Sequence, residues 1–360
     1  MIRSVPRGLD GSSPPLPTIR DVARLAGVAK TTASDALQGR GRVSDETRAR
    51  VETAAATLGY YPHAGARGLT RRRSEVLGLL VGDFFDPFNA ELTAHLEQQA
   101  AAHGFRVLLA TAGPDLREED EAISNLLEHR VAALILIAYT GDDTRLRSIG
   151  AHTHVVSVGY TGSGGTSIGL DDVTGSRLAI EHLLELGHTR IAYVSGTVLS
   201  PSTDAARIAG YRAALRRAGI TLEQSLLCRV GPRSDPTRLQ AARELLASEN
   251  PPTAVFAASD ITAVEIMSCA SELGLRTPED LSVVGFDDMQ LASVPMISLT
   301  TIAQPVAELA RLSVQAVIDH LTPGKTPQPA LLEPTLIVRG STAPPPAQVQ
   351  RIALSPVESR

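Results

Sequence analysis

Thr31 and Asp35 lie on what reads as one short helix with Lys30 at its end, and each of the three carries a different hydrogen-bonding chemistry. A lysine ammonium donates to guanine O6 and N7, or holds a phosphate. A threonine hydroxyl donates to a base edge, and its methyl suits that of thymine. An aspartate only accepts; it suits the cytosine N4 amine and is repelled near phosphates. A second kind of chemistry stands far downstream. Arg207 offers a planar five-donor fork suited to hydroxyls or a carboxylate. Asp287-Asp288 places an acceptor pair at the end of an apolar run, and Phe84 and Tyr160 offer ring faces to an apolar ligand surface. Catalytic signatures are missing: the chain contains no GxxxxGK[ST], no GxSxG and no HExxH. His152-x-His154 has no Cys/His partner at ligand spacing and reads as a strand-edge pair, so no metal site is expected. Gly162 to Gly165 reads as a flexible loop rather than a phosphate cradle.

The elements that must position the first group are legible. Thr18 with Asp21 three residues on approaches a capping box for a first helix. Val22 and Leu25 place apolar groups three apart on it, and Ala26-Gly27-Val28 supplies a tight turn. Thr31 to Leu37 form a second helix. Ser44 caps a third, Asp45 and Glu46 favour its positive end, and Gly59 stops it. Helix, glycine turn, helix is the spacing that sends a recognition helix into a major groove.

Charge supports this division. The chain of 360 residues carries −5 overall, but residues 18–73 hold eleven Arg/Lys and five Asp/Glu, leaving −12 on residues 74–360. A basic head on an acidic body implies that only the head meets phosphate. Cys228 and Cys269 are the only cysteines and suit a reducing compartment. No apolar run approaches the ~20 residues of a membrane span, and no apolar stretch follows Arg3 and Arg7, so a cytoplasmic protein is expected.

From residue 75 apolar runs alternate with amphipathic stretches. Strands are expected at Val76–Val81, Arg106–Thr111, Ala133–Ala138, Val155–Gly159, Arg190–Ser195, Ala254–Ala258, Ser282–Phe286 and Leu336–Val338. Helices are expected at 88–103, 117–129, 174–186, 204–218, 236–247, 262–273 and 305–321. Strand then helix, repeated, implies parallel sheets covered on both faces. So many units fit two doubly wound lobes better than one sheet, with ligand between them. The fold class is therefore a small all-α helix-turn-helix head plus an α/β body of two parallel-sheet lobes. The domains are a disordered tail (1–17), the head (18–61), a hinge (62–74), the two-lobed body (75–340) and a second disordered tail (341–360).

The head resembles the LacI/GalR family of transcription regulators. The family's DVAxxAGVSxxTVSRxLN pattern stands here as Asp21-Val22-Ala23, Ala26-Gly27-Val28-Ala29, Thr32-Ala33-Ser34-Asp35 and Leu37-Gln38. The likeness continues through Val43-Ser44, Thr47-Arg48, Leu58-Gly59-Tyr60 and Pro62, and covers roughly residues 18 to 340. It implies a body like periplasmic sugar-binding proteins, in which the chain crosses between lobes near Asp171-Asp172, Thr301–Gln304 and Glu333–Leu336. It implies groove contacts from Lys30, Thr31 and Asp35, a phosphate contact from Ser34, and further contacts from Thr18 and Arg42. The hinge residues matching the family's minor-groove wedge are Leu69 and, beside it, Ala66. Two departures stand out. Ala29 occupies a capping serine position, and Asp35 occupies a position usually held by a donor.

For the body, Asp86-Pro87-Phe88-Asn89 resembles the family's NPFFxxL segment, which lines an effector cleft. The resemblance implies ligand contacts from Phe88, Asn89, Arg207, Asp260, Asp287 and Gln304, with Asp288 capping the following turn. With no Trp, six Phe and six Tyr, the cleft is lightly furnished for stacking. A sugar or sugar derivative leads as effector; a nucleobase or another small metabolite follows. The resulting expectation is a homodimeric, non-enzymatic repressor without cofactor, bound to double-stranded operator DNA and answering to a small molecule. Induction and corepression are both compatible with it. The alternatives are a solute-binding protein or an enzyme on the same α/β scaffold.

Overall fold

The computed structural model describes residues 17–37, 39, 41–60, 74–112, 116–160, 162–196, 201–231 and 235–347. Residues 62–73 of the expected hinge, with Ala66 and Leu69, lie outside the described residues, as do residues 1–16 and 348–360. The chain forms two compact units that divide between residues 73 and 74.

The first unit is a bundle of α1 (Ile19–Ala26), α2 (Lys30–Leu37) and α3 (Asp45–Leu58). Its core holds Val22, Ala23, Ala26, Ala33, Ala36, Val51, Ala54 and Ala55. Side chains this small let the helices approach closely. They also bury little apolar area, so the caps carry weight. The expected pairing of Val22 with Leu25 is not the buried face: Leu25 is 54% exposed, and Ala23 and Ala26 complete the inward stripe. Gly27 ends α1 at φ +65, a conformation any side chain would strain.

The second unit holds two six-stranded sheets. The first contains β1 (Val76–Val81), β2 (Arg106–Thr111), β3 (Leu134–Ile137), β4 (Val155–Val158), β5 (Thr166–Leu170) and β11 (Ala330–Leu332), in the order β11-β5-β4-β3-β1-β2. The second contains β6 (Ile191–Ser195), β7 (Leu227–Arg229), β8 (Ala254–Ala257), β9 (Ser282–Asp287), β10 (Thr300–Ala303) and β12 (Thr335–Ile337), in the order β12-β10-β9-β8-β6-β7. All neighbours are parallel except β12, which runs antiparallel to β10. The covering helices are α4 (Pro87–Ala102), α5 (Leu116–Glu128), α6 (Asp143–Gly150), α7 (Asp172–Glu185), α8 (Pro201–Arg217), α9 (Gln240–Leu246), α10 (Asp260–Glu272) and α11 (Val306–Leu321).

In each sheet the order reverses beside the first strand, which opens a crevice at the carboxyl ends of the strands. The late helix α11 packs on α4, β4 and β5, burying Leu309, Ala310, Val314 and Val317 in the first lobe. The chain therefore changes lobe before α7, after β10 and between β11 and β12.

Four strands and α6 escaped the sequence pattern. β5, β7, β10 and β11 are three to five residues each, too short for a period to register. The expected tail from 341 is also corrected at its start. Ser341 is buried, accepts from the Thr300 amide at 2.8 Å and donates to the Val283 carbonyl at 2.6 Å. Backbone groups of β9 and β10 that lack ladder partners are satisfied by this segment.

Candidate functional site

In the head, Thr18 and Asp21 close a full capping box, with Thr18 N and Oγ1 donating to Asp21 Oδ2 at 2.9 and 2.7 Å. Arg24 pairs with Asp21 at 2.9 Å. Ser44 accepts from the Thr47 amide, and Arg48 donates to the Ala36 carbonyl at 2.7 Å, holding α3 against the end of α2. Lys30 and Thr31 stand exposed at the start of α2, and Arg42 is exposed in the turn that follows it. Ser34 and Asp35 are half-buried. The Asp35 carboxylate lies against Gly41, where a Cβ would come within 3.3 Å of Oδ2. Ala29 contributes only its carbonyl, to the Ala33 amide, so α2 starts without a side-chain cap.

A cleft in the body, about 590 Å³ including space open to solvent, lies at the carboxyl ends of both sheets. The first lobe contributes Asp86, Phe88 and Asn89 from the start of α4, with Ala138 and Gly159 beyond β3 and β4. The second contributes Asp172, Thr203, Arg207 and Asp287. Gln304 enters from the crossing after β10. The Thr203 hydroxyl donates to the Gly159 carbonyl at 3.1 Å, joining the lobes directly.

Arg207 is the hub. It is 2% exposed, its Nε donates to Asp172 Oδ1 at 2.8 Å, and Nη1 donates to the Ala258 carbonyl. Its guanidinium lies 3.5 Å over the Phe286 ring. Burial disfavours the charge, but Asp172 and Asp287 outweigh it and raise the guanidinium pKa. Asp172 is itself pushed up by burial against the pull of Arg207. Asp287 is pushed well above the usual carboxylate range by burial, with Asp86 and Asp260 adding to the rise and Arg207 opposing it. Gln304 donates to its Oδ1 at 2.6 Å. Asp287 also holds φ at +122, and Ala138 at +56, both unfavourable for side-chain-bearing residues. Backbone strain of this kind collects at ligand clamps.

The cleft thus gathers Phe88, Asn89, Arg207, Asp287 and Gln304 from the residues expected by sequence. Asn89 lines it while donating to the Asp83 carbonyl at 2.8 Å. Three expected residues are placed elsewhere. Asp260 has no exposed surface; it accepts from the Met289 amide at 2.8 Å and the Thr301 hydroxyl at 2.5 Å, and burial raises its pKa to about 7. Tyr160 donates to Asp143 at 2.7 Å and packs edge-on against Tyr139, away from the cleft lining. Phe84 is 41% exposed and also outside the lining. Asp288 caps no turn; it pairs with Arg339 at 2.6 Å. His154 stacks on His320 with ring centroids 4.0 Å apart. Asp86, Asp172 and Thr203 also line the cleft, beyond the contacts that the sequence points to. Asp86 stood within the quoted segment, but its carboxylate reads equally well as a helix cap, and it does accept from the Phe88 amide at 3.0 Å.

Among the described residues no helix is long and apolar enough to cross a membrane. Residues 18–63 match the bacterial regulatory proteins of the lacI family, and residues 180–342 match a periplasmic binding protein-like domain. The HTH-type transcriptional regulator DegA of Bacillus subtilis is 33% identical over 336 residues, covering 91% of this chain and 98% of that protein. The crystal structure of the lac repressor dimer bound to operator and the anti-inducer ONPF matches with a TM-score of 0.74 at 29% identity, covering 91% of this chain and 99% of that one. The complex of the transcriptional regulator CelR with cellobiose matches with a TM-score of 0.67 at 30% identity, over 90% of this chain and 99% of that one.

Proposed function

Because the chain belongs to the LacI family of bacterial regulatory proteins, we propose that it is a cytoplasmic, homodimeric repressor whose operator affinity is set by a small polyhydroxyl ligand between its lobes. The observation that carries this reading is the convergence of Asn89, Arg207, Asp287 and Gln304 on one cleft supplied by both lobes. Arg207 is preorganised by Asp172 and Phe286 before any ligand arrives, so little order is lost on binding. A ligand that touches both lobes stabilises one angle between them. If that angle changes the fit of paired heads to two half-sites, ligand and DNA affinities are coupled, and the coupling is reciprocal. The lac repressor dimer on its operator and the CelR–cellobiose complex are the precedents.

In the head, Lys30 and Thr31 are the proposed base readers, with Ser34, Thr18 and Arg42 near phosphates. Asp35 either accepts from a cytosine amine or orders the turn at Gly41, against which it lies. Leu69 and Ala66 are the proposed wedge in the central minor groove.

Selecting duplexes from a random pool with the full chain, then titrating the selected operator with and without sugars, tests the whole reading. Failure to enrich any near-palindrome overturns it. In the same assay Asp35→Asn and Asp35→Arg should shift the preferred base at one half-site position if Asp35 reads it. Unchanged preference assigns Asp35 to the turn.

A further inference from the structure

The bond from the Thr203 hydroxyl to the Gly159 carbonyl, 3.1 Å long, has its two ends on opposite lobes. Thr203 stands on α8 of the second lobe, and Gly159 follows β4 of the first. Each end is braced within its own lobe. The Gly159 amide donates to the Ile168 carbonyl at 3.0 Å. The next carbonyl, of Tyr160, accepts from the Ser157 and Ser167 hydroxyls at 3.1 and 2.5 Å. Beyond it, Asp143 of α6 accepts from the Tyr160 hydroxyl, and from the Ser163 amide and hydroxyl at 3.0 and 2.7 Å. Gly162 lies so close to Asp143 that a Cβ would overlap its carboxylate. The segment that reads from sequence as a flexible loop is therefore pinned to α6.

The donor side is as firmly set. Asp204, beside Thr203, is 3% exposed and accepts from the Tyr193 hydroxyl at 2.7 Å and from Arg229. Arg207 lies one helical turn beyond Thr203 on the same face of α8 and is held by Asp172 at 2.8 Å. A hydrogen bond between two braced ends is sensitive to the angle between the bodies that carry them. Widening the gap by about 1 Å takes the pair out of hydrogen-bond range. In the arrangement that this bond holds, Asn89 of the first lobe and Arg207 and Asp287 of the second line one cleft.

Resting on the cleft being the effector site, we propose that the Thr203–Gly159 bond is a clasp between the lobes. Thr203 is then a positioning residue: it sets the angle at which Arg207 meets a ligand held by the first lobe. Clasp and ligand favour the same angle, so part of the ordering that a ligand would otherwise impose is already in place. By linkage, losing the clasp moves operator affinity against the direction in which the ligand moves it, whether the ligand induces or corepresses.

The test compares the full-length protein with Thr203→Val, which removes the hydroxyl, Thr203→Ser, which keeps it, and Gly159→Ala. Gly159 holds φ at +79, and a Cβ there would meet only Thr203 Oγ1, at 3.9 Å, so alanine acts by straining the accepting peptide. Thr203 has a further interaction in the chain, so both ends are varied and each variant is read in the lobe that it leaves unaltered. Hydrogen exchange followed by mass spectrometry should quicken several-fold at residues 159–168 in Thr203→Val and at 205–209 in Gly159→Ala. Thr203→Ser should stay near the parent rate, and the double variant should gain nothing over the singles. Calorimetry with glucose, galactose, ribose and cellobiose should find any sugar that binds held about two- to tenfold more weakly by Thr203→Val, the range for one hydrogen bond. Gly159→Ala, which removes no side-chain group, should weaken it alike, and Thr203→Ser should restore it. Affinity for the selected duplex should shift in Thr203→Val opposite to the shift that a bound sugar causes. First-lobe exchange unchanged by Thr203→Val overturns the clasp. So does a double variant whose effects multiply, or an operator shift in the sugar's own direction. If the full chain selects no duplex, the regulator reading falls; if none of the four sugars binds, the polyhydroxyl reading falls. In either case the exchange pattern still decides the clasp.

Discussion

The head and the body solve opposite problems. The head buries alanine and valine and exposes its chemistry: Lys30, Thr31 and Arg42 stand in solvent on a bundle held by caps. The body buries leucine, isoleucine, tyrosine and phenylalanine on both faces of two sheets, and buries its chemistry too, with Arg207, Asp172 and Asp287 all under 9% exposed. A surface reader needs side chains that reach a large charged partner. A small-molecule sensor needs donors and acceptors stripped of water, so that their interactions are strong and directional. The cost follows the burial. Removing a partner is cheap in the head and expensive in the body.

The largest effect expected from this contrast is at Arg207. Arg207→Ala leaves Asp172 and Asp287 without their cation and should destabilise the body by about 3–5 kcal/mol, as breaking a buried pair does. Urea unfolding followed by a probe in the body reads it, and a loss below ~1 kcal/mol would mean the hub is not built as described. Next comes the response to pH. Asp260 and Asp287 have folded pKa values above their unfolded ones, so the folded body holds protons that the unfolded chain releases. Their contribution is fullest below the ordinary aspartate value, falls as pH rises, and for Asp260 levels off beyond about 7. Asp260→Asn should flatten the body's stability curve across that window. In the head, Asp21 is held below its ordinary value first by Thr18, so its contribution has the opposite sign and is lost as pH falls. Matching slopes for head and body would break the contrast.

A smaller effect is expected from overfilling the head. Ala33 has no exposed surface, and Ala33→Leu should cost about 1–3 kcal/mol. Operator binding should weaken while calorimetric sugar binding is unchanged. The smallest is a gain. Ala29→Ser supplies the missing cap on α2 and should stabilise the head by about 1 kcal/mol. Thermal melting of the head checks it; no gain would show that the start of α2 is already satisfied by another group.

Legibility differed between the two regions for a physical reason. The head's devices act over three or four residues: Thr18 with Asp21, Ser44 with Thr47, Gly27 at the end of α1. Such bonds are properties of local sequence, and they read correctly without the fold. Its buried stripe did not read as well, because Leu25 and Ala26 compete for the same side of α1 and only the packing of α3 chose the smaller one. In the body the long strands were legible from their continuous apolar runs. β5, β7, β10 and β11 were not, since a strand of three to five residues is defined by its neighbours.

What the sequence alone determined is the order of the longer helices and strands, the capped three-helix head and the two-lobed α/β class, which rest on periodicity and short-range hydrogen bonding, and a family resemblance carried by the head's motif. Only the tertiary structure decided which carboxylates face the cleft. Asp260 and Asp287 both stand at the carboxyl end of a strand. Asp260 spends its oxygens on Met289 and Thr301, while Asp287 accepts from Gln304 and lines the cleft with Arg207. Those partners lie 29 and 41 residues from Asp260, and Arg207 lies 35 from Asp172. No local pattern encodes such pairings. They follow from how parallel strands stack and where the chain crosses between lobes.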